Sequence, residues 1–473
     1  MDQLKKNQIV ELTIDALGSQ GEGIGRHNGL AVFVPAAAPG DRIQAKLLKV
    51  KKNLAYAKIE HILELSPERV DSLCPAYPQC GGCAYRHISY EAECRAKEQR
   101  VSDAMRRIGG IDIKPERFIA CDSTDRYRNK AQLPCRSDRD GRPCFGFFAG
   151  HTHRVVRNDD CALQPEEYSS IADAVADYMS SFGVQPYDEA AHKGMVRHLY
   201  MRRSVSTGQI MVCLVINDKK LPAEDELVRC ILDACSEVSG ILVNINRERT
   251  NVILGQSCRL LWGSEYITDA LLGVDFRISP LSFFQVNPPQ AERLYSIAAE
   301  YAGVNEETTL LDMYCGAGTI GLTMAKKVKK LIGVEIVAPA VEDAKVNAQL
   351  NGIENAEFIC ADASQAAAML TERGERPDVI IVDPPRKGCD EALLDCIAGL
   401  SPERLVYVSC DPATLARDCA RMAQRGYSVR HLSAVDMFPR TVHVETVVLL
   451  SREKADDYIR VSVHTKNLQT KAN

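Results

Sequence analysis

The chain has no apolar run of the roughly 18 residues that a membrane-spanning helix requires, so a membrane-embedded protein is not expected. Its first residues, MDQLKKNQIVELTI, carry neither a long apolar core nor a small-residue cleavage site. No secretory signal is read there, and a cytoplasmic protein is expected. Net positive charge is also missing: 58 Lys and Arg against 63 Asp and Glu leave −5. Global charge therefore lends nothing to nucleic-acid binding, and the local distribution has to decide. There is no repeat of the solenoid kind. Hydrophobic residues at 45% and charged residues at 26% exclude collagen-like, low-complexity and wholly disordered chains. Cysteine is the exception to this sparseness. Eighteen is high for a cytosolic enzyme but far below the density of a disulfide scaffold. In a reducing compartment, clustered cysteines point to metal binding or catalysis.

A length of 473 residues has room for roughly two to four domains, and three textures divide it. Residues 1–65 alternate apolar and polar positions in short runs such as QIVELTIDAL and LAVFVP, separated by turns such as GSQGEGIGR. That pattern predicts a small β-barrel. Lys46, Lys49, Lys51, Lys52 and Lys58 tilt it toward RNA binding over a plain scaffold. Residues 70–280 open with a cysteine cluster and hold the strongest basic bias. Arg126, Arg128, Lys130, Arg136, Arg139, Arg142, Arg154 and Arg157 are opposed by Asp138 and Asp140, with Tyr127, Phe145, Phe147 and Phe148 interleaved. Cations beside stacking aromatics suit single-stranded or splayed-out RNA. Exposed hairpins with buried phenylalanines are the competing reading. A second basic stretch, KGMVRHLYMRRS, adds Lys193, Arg197, Arg202 and Arg203. Residues 281–452 alternate TLLDM, KLIGVE, AEFICAD, DVIIVD, RLVYVSC and TVVLL with mostly helical stretches. This predicts a doubly wound α/β domain whose ligands bind beyond the carboxyl ends of a largely parallel sheet. Residues 453–473 read as a loosely ordered polar tail.

Five motifs carry chemistry. In LLDMYCGAGTIG (310–321), a strand enters a turn in which Gly316, Gly318 and Gly321 match G-x-G-x-x-G. Glu335 ends the next strand, where an acid can take ribose hydroxyls. The pattern fits a nicotinamide dinucleotide or S-adenosylmethionine, and a tight turn without ligand stays open. VIIVDPPRKG (379–388) places Asp383 at a strand end before a stiff turn. LVYVSCDPATLARD (405–418) places Cys410 where a strand gives way to a helix, a position expected to favour the thiolate. HVETVVLL (443–450) starts a strand with Glu445, a carboxylate whose burial would raise its pKa and suit it as a base. Finally, Cys74, Cys80 and Cys83, with the remote Cys161, suit zinc or an iron–sulfur cluster, zinc being the commoner occupant of four-cysteine sites. Cys94, Cys121, Cys213 and Cys258 read as core or surface thiols.

Together these motifs, with LSFFQVN (281–287), resemble the bacterial RNA uracil-C5 methyltransferases, especially the ribosomal RNA members. The likeness covers roughly residues 8–452, in the family's order. It implies an α/β fold: a Rossmann-like methyltransferase domain (281–452), an N-terminal OB-like β-barrel similar to the TRAM domain (1–65), and a central α+β iron–sulfur domain with an RNA-binding surface (70–280). It implies a [4Fe-4S] cluster on Cys74, Cys80, Cys83 and Cys161 in place of zinc. It also implies S-adenosylmethionine held by Gln285, Tyr314, Glu335 and Asp383, with Cys410 as nucleophile and Glu445 as base. The expected partner is RNA, 23S ribosomal RNA ahead of transfer RNA because of the barrel, and a monomer is expected for want of a coiled-coil seam. A dinucleotide-dependent oxidoreductase and a non-catalytic RNA-binding or redox-sensing cluster protein are the competing classes.

Overall fold

The computed structural model describes residues 4–150 and 152–452, so the expected polar tail lies outside the described residues. Among them, no helix is long and apolar enough to cross a membrane.

Strands Ile9–Leu17, Gly23–His27, Leu30–Val34, Arg42–Val50 and Leu54–Glu64 close into a barrel. Period-two alternation turns Val10, Leu12 and Ile14 inward, where they meet Val32, Ile43, Leu47 and Ala55. The third strand runs parallel to the fifth, which removes the free edge. Lys49, Lys51, Lys52 and Lys58 are exposed, and Lys51 Nζ lies 5.5 Å from the centre of the Tyr56 ring.

The middle unit is a seven-stranded sheet in the order Ser257–Gly263, Val238–Ile245, Ile210–Ile216, Val196–Arg203, Lys130–Ser137, Pro143–Phe148 and Val155–Arg157. Helices Glu167–Ser181 and Glu224–Ala234 share a core with it. This unit is narrower than the expected 70–280 span. Helix Tyr90–Arg107 packs Val101, Ala104 and Met105 against Leu415, Ala416 and Cys419 of helix Pro412–Ala423. Strand Arg117–Ile119 pairs with Tyr427–Val435. The hairpin Ile267–Leu271/Val274–Ile278 also lies in the C-terminal core. An apolar helix stripe takes the partner that buries it, whatever its place in the chain.

The C-terminal sheet has eight strands, ordered Ala356–Cys360, Lys330–Glu335, Thr309–Met313, Val379–Val382, Arg404–Ser409, Glu445–Arg452, Tyr427–Val435 and Arg117–Ile119. The first five are parallel and read as continuous apolar runs because both faces are covered. Glu445–Arg452 is antiparallel to both neighbours. Strand order reverses at Thr309–Met313, which opens a crevice at the carboxyl ends of these strands.

A buried ion cluster ties helix Tyr90–Arg107 to the segment that leads into Glu445. Lys97 Nζ donates to Glu93 (2.6 Å), Asp436 (2.8 Å) and the Phe438 carbonyl (3.1 Å), and the Tyr90 hydroxyl donates to Asp436 (2.8 Å). Removing the cation would leave two buried carboxylates facing each other. Lys97→Met is expected to cost about 3–5 kcal/mol, read as a lower urea midpoint at unchanged m.

Candidate active site

All three units line one cleft of about 1740 Å³, from Gln20–Glu22 of the barrel to the turns above the C-terminal sheet. Strand register explains how distant residues meet there. Ser409 pairs with Thr446, so the next step places Cys410 opposite Glu445, and directly opposed side chains are close neighbours. Val382 pairs with Tyr407 on one side and Met313 on the other. Asp383 and Tyr314, each one residue further on, therefore stand beside Cys410 at the same sheet end. Tyr314, Glu335, Asp383, Cys410, Glu445 and Gln285 all line the cleft.

The Gly-rich turn is built for close approach. Tyr314, Gly316 and Gly318 have φ of 65°, 54° and 84°, a region that costs a non-glycine residue strain. Nothing lies within 4 Å of a Cβ placed on Gly316, whereas one on Gly321 would meet Asp312 Oδ2 and Leu331 at 2.8 Å. The first glycine leaves room above the backbone, and the last allows helix to touch strand. Glu335 accepts from the N–H groups of Gly316 (3.2 Å) and Val337 (2.8 Å).

Gln285 is buried on a loop that the middle sheet holds. Arg202 donates to the Ser282 carbonyl (3.2 Å), and the Asn129 N–H donates to the Val286 carbonyl (2.9 Å). Phe283 on the same loop lines the cleft and is 60% exposed.

Electrostatics at the sheet end are dominated by carboxylates with little solvent. Burial, with the charge of Asp383, pushes Glu445 up to about 8. Burial pushes Asp383 and Asp312 up to about 7. Glu445 is thus buried with a raised pKa, as expected. Cys410 does not meet the expectation of a favoured thiolate. Burial, then the charges of Glu445 and Asp383, push its thiol up to about 11, against a smaller opposing effect of Arg386. The helix N-terminus cannot reverse this, because Asp411 takes the N–H groups of Ala413 (2.9 Å) and Thr414 (3.1 Å).

These raised values carry a consequence for stability. The native state keeps a proton on Glu445 that the unfolded chain, with its ordinary value of 4.5, gives up. The contribution of Glu445 to stability is fully present below about 4.5 and is lost as pH rises through about 8. The thermal midpoint of the wild type should drop between pH 5 and pH 8, and that of Glu445→Gln should drop less.

Two residues went unnamed by sequence reasoning. Arg386 Nη2 lies 3.2 Å from Nε2 of His443, and both line the cleft. Burial and nearby cations, Arg386 first, pull His443 down to about 4, so it is neutral at neutral pH. The signal for Arg386 lay in DPPRKG itself, whose only marked residue was the aspartate.

The basic stretches divide. Arg197 and Arg202 are buried and spend their donors on backbone carbonyls, Arg197 on Asn246, Glu248 and Thr250. Arg203 pairs with Glu167 at 2.8 Å. Arg197, Arg202 and Arg203 are therefore structural, whereas Lys193 of the same stretch is exposed. In the first, Arg126 and Arg136 pair with Asp160 (2.7 Å) and Glu189 (2.6 Å). Arg128, Lys130 and Arg154 line the cleft.

Cys74, Cys80, Cys83 and Cys161 gather at one end of the same cleft. Burial raises the thiols of Cys80, Cys83 (to about 11) and Cys161, and a charge on one raises its neighbours further. The Gly82 N–H points at Cys80 Sγ (3.4 Å), and Asn158 Nδ2 lies 3.8 Å from Cys74 Sγ. Among the described residues, no three His, Cys, Asp or Glu side chains close on a single metal ion.

Comparison with known proteins matches residues 89–453 to the family model for tRNA (uracil-5-)-methyltransferase and residues 3–59 to the TRAM domain. A Clostridium tetani protein described as an uncharacterized RNA methyltransferase is 43% identical over 95% of this chain and 97% of its own. One from Halalkalibacterium halodurans is 43% identical over 94% and 98%. The crystal structure of the Pyrococcus abyssi tRNA (uracil-54, C5)-methyltransferase with S-adenosyl-L-homocysteine superposes with a TM-score of 0.75 at 27% identity, covering 93% of this chain and all of that one.

Proposed function

Since the chain belongs to the tRNA (uracil-5-)-methyltransferase family, we propose that it transfers a methyl group from S-adenosylmethionine to C5 of a uridine in 23S ribosomal RNA. It is an S-adenosylmethionine-dependent RNA methyltransferase, and the dinucleotide and non-catalytic readings fall away with that membership. The observation that carries the mechanism is the pairing of Ser409 with Thr446, which brings the next residues, Cys410 and Glu445, together beside Asp383 in one cleft. Uracil C5 is a weak nucleophile toward a sulfonium methyl. The Cys410 thiol gives up its proton to solvent, the resulting thiolate bonds to C6, and the C5=C6 electron pair moves into an enolate that makes C5 reactive. C5 takes the methyl as its bond to sulfur breaks, leaving S-adenosylhomocysteine. Glu445 removes the C5 proton, the C6–S bond breaks, the double bond returns, and the thiolate leaves. Gln285, Tyr314, Glu335 and Asp383 hold the methyl donor in the crevice. A cationic sulfonium beside Asp383 would offset the negative charge that keeps Cys410 protonated. The base must leave its stack to reach this depth, and Phe283, Arg128, Lys130 and Arg154 are placed to receive RNA.

The same four thiols are proposed as ligands of a [4Fe-4S] cluster. An all-thiol donor set with N–H groups aimed at sulfur is chemically compatible with such a group. When bound, the cluster would supply metal–thiolate bond energy that fixes the Cys74–Cys83 loop. Protein purified without oxygen should contain iron and sulfide, and Cys80→Ser should lose both and melt at a lower temperature.

The barrel does not choose the RNA. The part of this chain that the tRNA enzyme leaves uncovered, 7%, is shorter than the barrel span Ile9–Glu64. A uridine of transfer RNA is therefore the second reading. Labelled methyl offered to unmodified 23S ribosomal RNA and transfer RNA side by side separates them. Label as 5-methyluridine in ribosomal RNA alone supports the first reading, and label in transfer RNA alone replaces it with the second.

A further inference from the structure

Helix Pro412–Ala423 buries one carboxylate that the reaction outlined above does not use. Asp418 has no solvent exposure, and burying a charge is costly unless donors surround it. Its donors come from three places. Oδ2 accepts from the Cys389 N–H (2.9 Å) and the Tyr407 hydroxyl (2.8 Å), and Oδ1 accepts from Arg417 Nε (2.8 Å). Tyr407 lies three residues before Cys410, on the strand that leads to it. Arg417 also donates to the Lys387 carbonyl (2.8 Å). The N–H of Gly388 donates to the Pro385 carbonyl (2.8 Å), closing a turn with Arg386 near its tip. Gly388 has φ of 73°, and a Cβ there would collide with Asp418 and Arg417. One carboxylate thus joins the turn that carries Arg386, the strand that ends at Cys410, and the helix that follows it.

We infer that Asp418 is a positioning residue for methyl transfer, clamping the Arg386 turn so that its guanidinium faces Cys410 and Glu445. The inference rests on the reading of Cys410 as nucleophile. Arg386 shares the cleft with Cys410 and Glu445 and is the cation that partly offsets the carboxylates around the thiol, so its placement bears on how readily sulfur loses its proton. A loosened turn leaves the carboxylates unopposed.

The test is Asp418→Asn in the full-length protein, with Tyr407→Phe as a variant that removes the hydroxyl's bonds to Asp418 and the Cys389 N–H while keeping the carboxylate. For Asp418→Asn, kcat should fall about 10–100-fold while KM for S-adenosylmethionine stays within about twofold. Alkylation of Cys410 by iodoacetamide, followed by the mass of its peptide against pH, should shift upward by about one pH unit. Tyr407→Phe should move both readouts in the same direction by less. If Asp418→Asn does not fold, Arg417→Gln, which frees Lys387, takes its place with the same expected shifts. A merely structural role lowers the melting temperature and leaves the alkylation profile and kcat unchanged, which overturns the inference. An unchanged Asp418→Asn beside an inactive Cys410→Ala sinks this inference alone. A fully active Cys410→Ala sinks the nucleophile reading beneath it.

Discussion

Cys410→Ala is expected to lower methyl transfer by at least about 10³-fold while leaving S-adenosylhomocysteine binding intact. The first half follows from chemistry, because without a bond at C6 the pyrimidine keeps its electrons in the ring and C5 does not attack. The second half follows from geometry. The proposed donor site, Gly316, Glu335, Tyr314 and Gln285, lies on elements that precede Cys410 in the chain. Calorimetry for binding and labelled methyl for turnover read the two halves separately. The thiol is held at about 11 in the free protein. Its alkylation should therefore be slow at neutral pH and speed up when S-adenosylmethionine, but not uncharged S-adenosylhomocysteine, is present.

Glu445→Gln should separate methyl transfer from release. The amide cannot take the C5 proton, so one methyl per enzyme enters RNA, the covalent adduct persists, and turnover falls about 10²–10⁴-fold. In rapid-quench kinetics this appears as a burst of one equivalent followed by a slow phase. The pH dependence has a definite sign. Glu445 must be ionised to act and is held at about 8. Wild-type turnover should therefore rise with pH through that value, and the first turnover of Glu445→Gln should lack this limb.

Much of this arrangement was legible in the sequence because it is local. The alternation in Ile9–Leu17 is a strand's own property, as are the apolar runs at Val379–Val382 and Arg404–Ser409, and the glycines of the 310–321 turn announce a close approach. What was hidden depends on partners far along the chain. Tyr427–Val435 carries His431 and Arg430 on a bulged strand near the sheet edge, so its apolar period is broken. The lysine of helix Tyr90–Arg107 finds its carboxylate at Asp436. Arg197 and Arg202 looked like RNA contacts because charge in sequence carries no sign of burial. The thiol at Cys410 was expected to be acidified by its helix. The opposing carboxylates come from two other strands, and only the register shows them.

The most direct test of the account is the mass of the Cys410 peptide after reaction with S-adenosylmethionine and RNA whose uridines are replaced by 5-fluorouridine. Fluorine at C5 leaves no proton to remove, so the reaction should stop at the adduct. The account predicts a peptide containing Cys410 that carries the nucleotide plus one methyl group, formed in a one-to-one ratio with S-adenosylhomocysteine. Methyl transfer without any adduct, or an adduct on a different cysteine, would contradict it.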